Sequence, residues 1–276
     1  SLLALIAPES KRGAASGLYS GVQSSAQLVF PPLALWLLYA SFGGYGMVFI
    51  VTALFSLAGA VMGFLMSSSV ARPARLSNSG EEPAWWRAIF HFIEPEILLP
   101  AMLLLWLNFS LPAITNFIIL YAHDLGIVDF GLYFVVIGAA SMISRPLLGR
   151  LSDKIGRPRS VTAGFLLQTM GLLLLASMSS LIGVIFCGAL YMLGNAIGSS
   201  TTLALAVECA DPKRRGKQMA TFSVAYPLSY GVGSLLTGAA IDIAGYVGMF
   251  LLLAALQACG LAYAQINASK VESNSR

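Results

Sequence analysis

The sequence predicts an all-α, polytopic membrane protein, and three observations carry that prediction. Hydrophobic residues make up 57% of the 276 and charged residues only 10%, against about 25% charged in soluble domains. So few charges could not cover a water-facing surface. The apolar residues also fall in blocks of roughly 20, the length a helix needs to cross about 30 Å of hydrocarbon. Finally, Lys and Arg are confined to alternate connections between those blocks, the sidedness that the positive-inside rule requires.

Eight spans follow, at 14–38, 46–68, 97–121, 130–149, 160–178, 181–207, 218–240 and 246–266. The first lies behind "PESKRG", and the second is opened by "GGYGMVF". The third follows the long connection 67–96, which is rich in Ser, Pro and charge before turning amphipathic around Trp85, Trp86, Ile89 and Phe90. That segment reads as a linker ending in a helix at the membrane interface, where Trp is favoured. The fourth span runs into "GRLSDKIGRP", Gly149 to Pro158, and the fifth leaves it. "MSS" separates the fifth from the sixth, "DPKRRGK" the sixth from the seventh, and "IDIAGY" the seventh from the eighth. Connections this short make consecutive helices antiparallel neighbours. The opening residues, "SLLALIAPESKRG", lack the order of a signal peptide, because the basic pair follows the apolar run. They read as the tail of a longer apolar segment, so the chain is expected to begin in mid-protein.

With the Lys11–Arg12 connection cytoplasmic, all sixteen basic residues fall on that side. The opposite connections, "SFGGYG", "AHDLGIVD", "MSS" and "IDIAGY", hold none. A multi-pass protein of a plasma membrane or bacterial inner membrane is expected, with both termini and the Gly149–Pro158 loop cytoplasmic. The formal charge of +4 is then a matter of orientation, and no nucleic-acid partner is implied; the lipid bilayer is the partner. Cys187, Cys209 and Cys259 match no metal spacing and form no disulfide framework. With His91 and His123 far apart, no metal and no cofactor are expected. An enzyme would need convergent His, Asp, Glu, Cys or Ser at one membrane face, whereas Asp124, Asp129 and Asp242 are isolated.

The chain also repeats itself. "PESKRGAASGLYSG" from Pro8 is echoed by "DPKRRGKQMATFSV" from Asp211, and "GGYGMVF" at 43–49 by "AGYVGMF" at 244–250. The offset is about 200 residues, or six spans, which is the pattern of a transporter made of two parallel six-span repeats. By that symmetry four further spans, about 100 residues, are expected upstream of Ser1. The organisation expected is 1–68 as the end of an N-terminal bundle, 69–96 as linker, 97–267 as a C-terminal six-helix bundle, and 268–276 as a cytoplasmic tail.

"GRLSDKIGRP" concentrates charge where the chain otherwise has little. Gly149 allows close helix approach. Gly156 permits a left-handed turn. Asp153 can accept N–H bonds at a helix N-terminus, by symmetry the one near Gly13 to Ala15. Arg150, Lys154 and Arg157 have Glu208, and also Glu9, as counter-charges. Arg145, one turn earlier, suits the same network. Two readings stand: a latch that biases one conformation, and a loop that only fixes topology.

With the repeat, this motif resembles the signature loop of the major facilitator superfamily: Gly149, Arg150, Asp153, Lys154, Gly156 and Arg157 all fit. "SRPLLGR" is similar to efflux-type members. The resemblance spans nearly the whole chain as family helices 5–12. It implies two six-helix bundles and secondary active transport by alternating access, with proton-coupled efflux as the direction and the monomer as the working unit. Uptake by symport or uniport, or a non-transporting protein of the same fold, are the alternatives. Antiporters of the family carry a Gly-rich stretch ending in Gly-Pro on the fifth helix. Here Gly17, Gly21 and Pro31 match it, whereas Phe30, Ala34 and Leu35 replace glycines. No acidic or basic residue sits at mid-membrane. The substrate cavity is therefore assigned to neutral groups: Tyr19, Gln23 and Gln27, spaced by four on one helix face; Asn108 and Asn116 on a span that the resemblance places at the cavity; and Gln168, Asn195, Tyr226 and Tyr230. Thr115, Phe109, Phe117 and Tyr121 add surface, and Gln257 is a further polar group in the last span. Such a set suits a small neutral or amphiphilic molecule; any one of these polar groups taken singly reads more readily as helix–helix glue.

Overall fold

A computed structural model describes residues 29–38, 44–67, 94–127, 130–211 and 214–269, with side chains placed except at 66, 67, 145–154 and 215. Within these residues every regular element is helical. In chain order they are α1 (Val29–Leu38), α2 (Tyr45–Ser67), a 3-10 turn (Pro95–Ile97), α3 (Leu98–Asn108), a π-helical segment (Ala113–Phe117), α4 (Ile118–Asp124), α5 (Gly131–Ile155), α6 (Arg157–Leu175), α7 (Leu181–Cys209) and α8 (Arg215–Ile266). α3, the π segment and α4 together make one span.

Glycine sets where the chain reverses. α8 has 52 residues, about 78 Å at 1.5 Å per residue, far more than one crossing. Gly245 breaks it with φ 67° and ψ −174°, a conformation open essentially to glycine alone. Gly44, about 200 residues earlier, also has positive φ at 118°, and each precedes the tyrosine that opens a span. Gly156 does the same between α5 and α6, at φ 92°. α7 begins differently: the Ser180 hydroxyl accepts the Gly183 N–H at 3.2 Å, satisfying one of the donors a helix start leaves open.

One expectation is corrected here. Gly149–Pro158 is not a loop: α5 continues to Ile155, Gly156 alone makes the reversal, and α6 starts at Arg157. Arg150, Leu151 and Lys154 are good helix formers that offset Gly149 and Asp153, and Pro158 sits in the first turn of α6, where its missing N–H does no harm.

α3 to α8 pack into one bundle. Its largest cluster joins Ile114, Ile118 and Tyr121 to Tyr133 of α5, Leu172 of α6, Tyr191 of α7 and Phe250 of α8. Two smaller clusters lie toward the end where α6 and α8 begin, one around Leu107 and Phe165, the other around Leu104 and Phe222. α6 and α7 meet backbone to backbone: a Cβ on Gly164 would come within 3.0 Å of the Gly194 carbonyl and of Gly198. Small residues at the seam are what close packing in lipid demands, since burial between helices brings no hydrophobic gain there. The outside is as apolar as the inside. Phe64 is 82% exposed and Ile243 87%, so the surrounding medium is hydrocarbon rather than water.

Candidate functional site

Span 98–124 is bent at its middle. Phe109 and Ser110 form a turn, Pro112 follows, and the wide π turn runs to Phe117. π turns shift the register of the residues that follow and are frequent at functional sites. Here the shift brings Thr115 against α8: the Thr115 and Tyr230 hydroxyls are 2.9 Å apart. Tyr226 and Tyr230, one turn apart on α8, stack with centroids 6.1 Å apart and planes 24° apart. Tyr226 is 42% exposed, and Asn116 is exposed beside Thr115. The close approach is set by Gly233: a Cβ there would lie 2.1 Å from the Phe109 carbonyl oxygen. The result is an uncharged group of two aromatic rings and three hydroxyls, with the exposed Asn116 next to Thr115 in the chain.

The other assigned groups go elsewhere. Asn108, Gln168 and Asn195 are 1%, 0% and 6% exposed, enclosed by neighbouring helices. The Asn108 amide donates to the Leu104 carbonyl at 2.8 Å and accepts from Asn195 at 3.3 Å. Gln168 donates to the Leu107 carbonyl at 3.1 Å. In this conformation their hydrogen bonds run within the span 98–124 and between it and α6 and α7. Gln257, 1% exposed, belongs to the same seam and reaches Ser110 Oγ at 2.6 Å. Tyr19, Gln23 and Gln27 lie outside the described residues.

In the charged motif, Arg157 Nη2 is 2.7 Å from Glu208 Oε1. Arg157 stands at the positive end of α6 and Glu208 at the negative end of α7, each the reverse of what helix dipoles favour. Pairing them relieves both mismatches. Gly149 lies within the α5 helix, and the side chains of Arg145, Arg150, Asp153 and Lys154 fall outside the described ones.

A second charged cluster at the same end was not anticipated. Glu94, 5% exposed, sits between Lys217 Nζ at 2.7 Å and Arg214 Nη1 at 3.1 Å. Glu96 meets Arg214 at 3.7 Å and the Gln218 amide at 2.5 Å, and Gln218 Oε1 accepts the Asp211 N–H at 2.7 Å. The hydrogen bond from Lys217, with the charges of Lys217 and Arg214, holds the Glu94 carboxyl below the usual carboxylate range despite burial. The sequence signal was present in "IEPE" before one span and "DPKRRGK" before another; what was missing was that these two span starts are neighbours. Among the described residues no three His, Cys, Asp or Glu converge as a metal site.

Comparison with known proteins agrees with this architecture. The sequence model of the Major Facilitator Superfamily matches residues 1–147 and again 98–273. Over 126 residues, 45% of the chain, the sequence is 32% identical to the uncharacterized MFS-type transporter YddS of Bacillus subtilis (strain 168). That match covers 29% of the relative's length. An all-helical, multi-pass chain whose family match runs over almost its whole length belongs to the Major Facilitator Superfamily.

Proposed function

We propose that this chain belongs to a secondary active transporter that moves a small uncharged or amphiphilic molecule by alternating access. The observation that carries the reading is the group formed by Thr115, Tyr230 and Tyr226, the first two joined through their hydroxyls and the last two through their rings. Stacked rings recognise flat apolar surface, and hydroxyl and amide groups orient it. No described side chain at mid-membrane carries a charge that would call for a charged cargo. Residues 97–267 act as one rocking bundle and residues 1–68 as part of the other, joined by 69–96. Gly149, Arg150, Asp153, Lys154, Gly156, Arg157, Arg145 and Glu208 form the latch that favours one access state. Such a network matters through the difference it makes between states, not through the worth of each exposed pair. Proton-coupled efflux by a monomer is the form proposed, on the strength of "SRPLLGR".

The test is reconstitution of the complete transporter in vesicles with an imposed pH gradient, using Nile red as an uncharged aromatic amphiphile. Gradient-dependent dye movement together with dissipation of the gradient supports the reading. Dye movement with no proton flux overturns the coupling. Neither movement nor flux sinks the transporter reading for this cargo class.

A further inference from the structure

The bend in span 98–124 leaves backbone carbonyls without their usual donors. Pro112 has no N–H for the Asn108 carbonyl, and the Ala113 N–H turns to the Ser110 carbonyl at 3.2 Å. Inside a bilayer no water can take up the difference, and such breaks persist where neighbouring helices do so. Donors around this bend come from three helices. Gln168 of α6 donates to the Leu107 carbonyl at 3.1 Å. Gln257 of α8 lies 3.2 Å from the Trp106 carbonyl and 3.4 Å from that of Leu107. Tyr133 of α5 donates to the Ile114 carbonyl, inside the π segment, at 2.9 Å.

The two glutamines stand apart from ordinary packing. A carbonyl oxygen only accepts, so each amide nitrogen must face it, and each side-chain oxygen is thereby turned away. Gln168 Oε1 and Gln257 Oε1 are buried and meet no protein donor. Leaving buried acceptors bare is unfavourable, and a methionine of similar size would fill the same space without that penalty. Gln168 and Gln257 from two different helices also converge on one atom, the Leu107 oxygen.

We propose that Gln168 and Gln257 are positioning residues: a two-amide clamp that grips the carbonyls before the bend and so sets where the π segment places Thr115 against Tyr230. What the clamp positions rests on the cargo face proposed above, but the clamp itself is tested without cargo. In the full chain held in lipid nanodiscs, Gln168→Met and Gln257→Met are compared by hydrogen–deuterium exchange. Amides of 109–118 exchange roughly threefold to tenfold faster in each variant, the factor expected for loss of one or two buried bonds. Amides of 184–196 keep their rates. Unchanged rates at 109–118, or an equal rise everywhere, overturns the clamp.

A second measurement leaves the clamp unmutated, so that a folding failure cannot decide the matter. Trp36, Trp85 and Trp86 are replaced by Phe, Trp106 is labelled at its carbonyl carbon with 13C, and glutamine side chains are labelled with 15N. Dipolar dephasing between the two labels is expected, and its absence overturns the proposal. In the complete transporter, a Gln257→Met variant whose exchange rises at 109–118 while its KM for Nile red stays unchanged overturns the positioning role. Failure of the unmutated transporter to move the dye falls on the transport reading alone.

Discussion

Two glycines two residues apart on α8 have opposite jobs. A Cβ on Gly233 would sit 2.1 Å from the Phe109 carbonyl oxygen, whereas one on Gly231 would meet nothing within 4 Å. Backbone cannot swing aside as a side chain can, so Gly233→Ala must push α8 away from the bend, and Tyr230 lies one turn from it. Overpacking of this kind destabilises by about 1–3 kcal/mol. Gly231→Ala removes helix-interior glycine at a helical φ and stabilises by about 0.5–1 kcal/mol. Denaturant unfolding in mixed micelles measures both. If the two alanines behave alike, the close approach at Phe109 is not what holds α8 in place. The residue scale is also where sequence reading was least able to decide. Asn108, Gln168 and Asn195 are assigned with Asn116 and Tyr230 to one cavity, and the structure places the first three in buried positions, Tyr230 half-buried and Asn116 exposed. In a soluble helix apolar periodicity marks the buried side. In a membrane the lipid face and the helix face are both apolar, so a lone amide does not reveal which neighbour it meets.

At the scale of elements, the helices and the breaks between them were legible. Blocks of apolar residues about the thickness of a bilayer correspond to helices across the described residues, and the echoed "GGYGMVF" and "AGYVGMF" each open a helix behind a glycine, Gly44 and Gly245, whose positive φ the structure adds. What did not follow was the state of charged segments: "GRLSDKIGRP" looks like a loop because it is polar, yet its Arg and Lys, with Leu, are good helix formers and the helix continues to Ile155. The whole reversal therefore falls on Gly156, with φ 92° and ψ 151°. A Cβ there meets nothing within 4 Å, so Gly156→Ala acts by backbone strain alone, about 1–3 kcal/mol. Gly131→Ala, also without neighbours and within helix α5, is the matched control. Unfolding of the two variants side by side checks this. Equal stability would mean that the α5–α6 reversal can be made by another residue without strain.

Across the whole molecule, charge gathers at the end where α6 and α8 begin, and Glu94 is its most enclosed member. Its side chain is 6% exposed, against 52% for Arg214 and 40% for Lys217. The groups facing it and its partners are Lys217, Arg214, Glu96, Asp211 and Gln218. They tie the entry to one span to the entry to another that lies more than 100 residues on, a pairing that no local pattern encodes. Because Glu94 is held below its ordinary carboxylate range, its unfolded form binds a proton more readily than its folded form. The stabilisation it gives is therefore fully present above the unfolded value of about 4.3, and is lost as pH falls through the lower folded value. Glu94→Gln keeps shape and one hydrogen-bonding oxygen but cannot titrate. Unfolding midpoints of the chain in nanodiscs, followed downward from neutral pH, should decline in the acid range for the unmodified protein. The variant should start lower at neutral pH, because Lys217 loses its buried partner, and should decline less steeply with acid. Parallel acid limbs for the two proteins would move the origin of that dependence to the other carboxylates at this end.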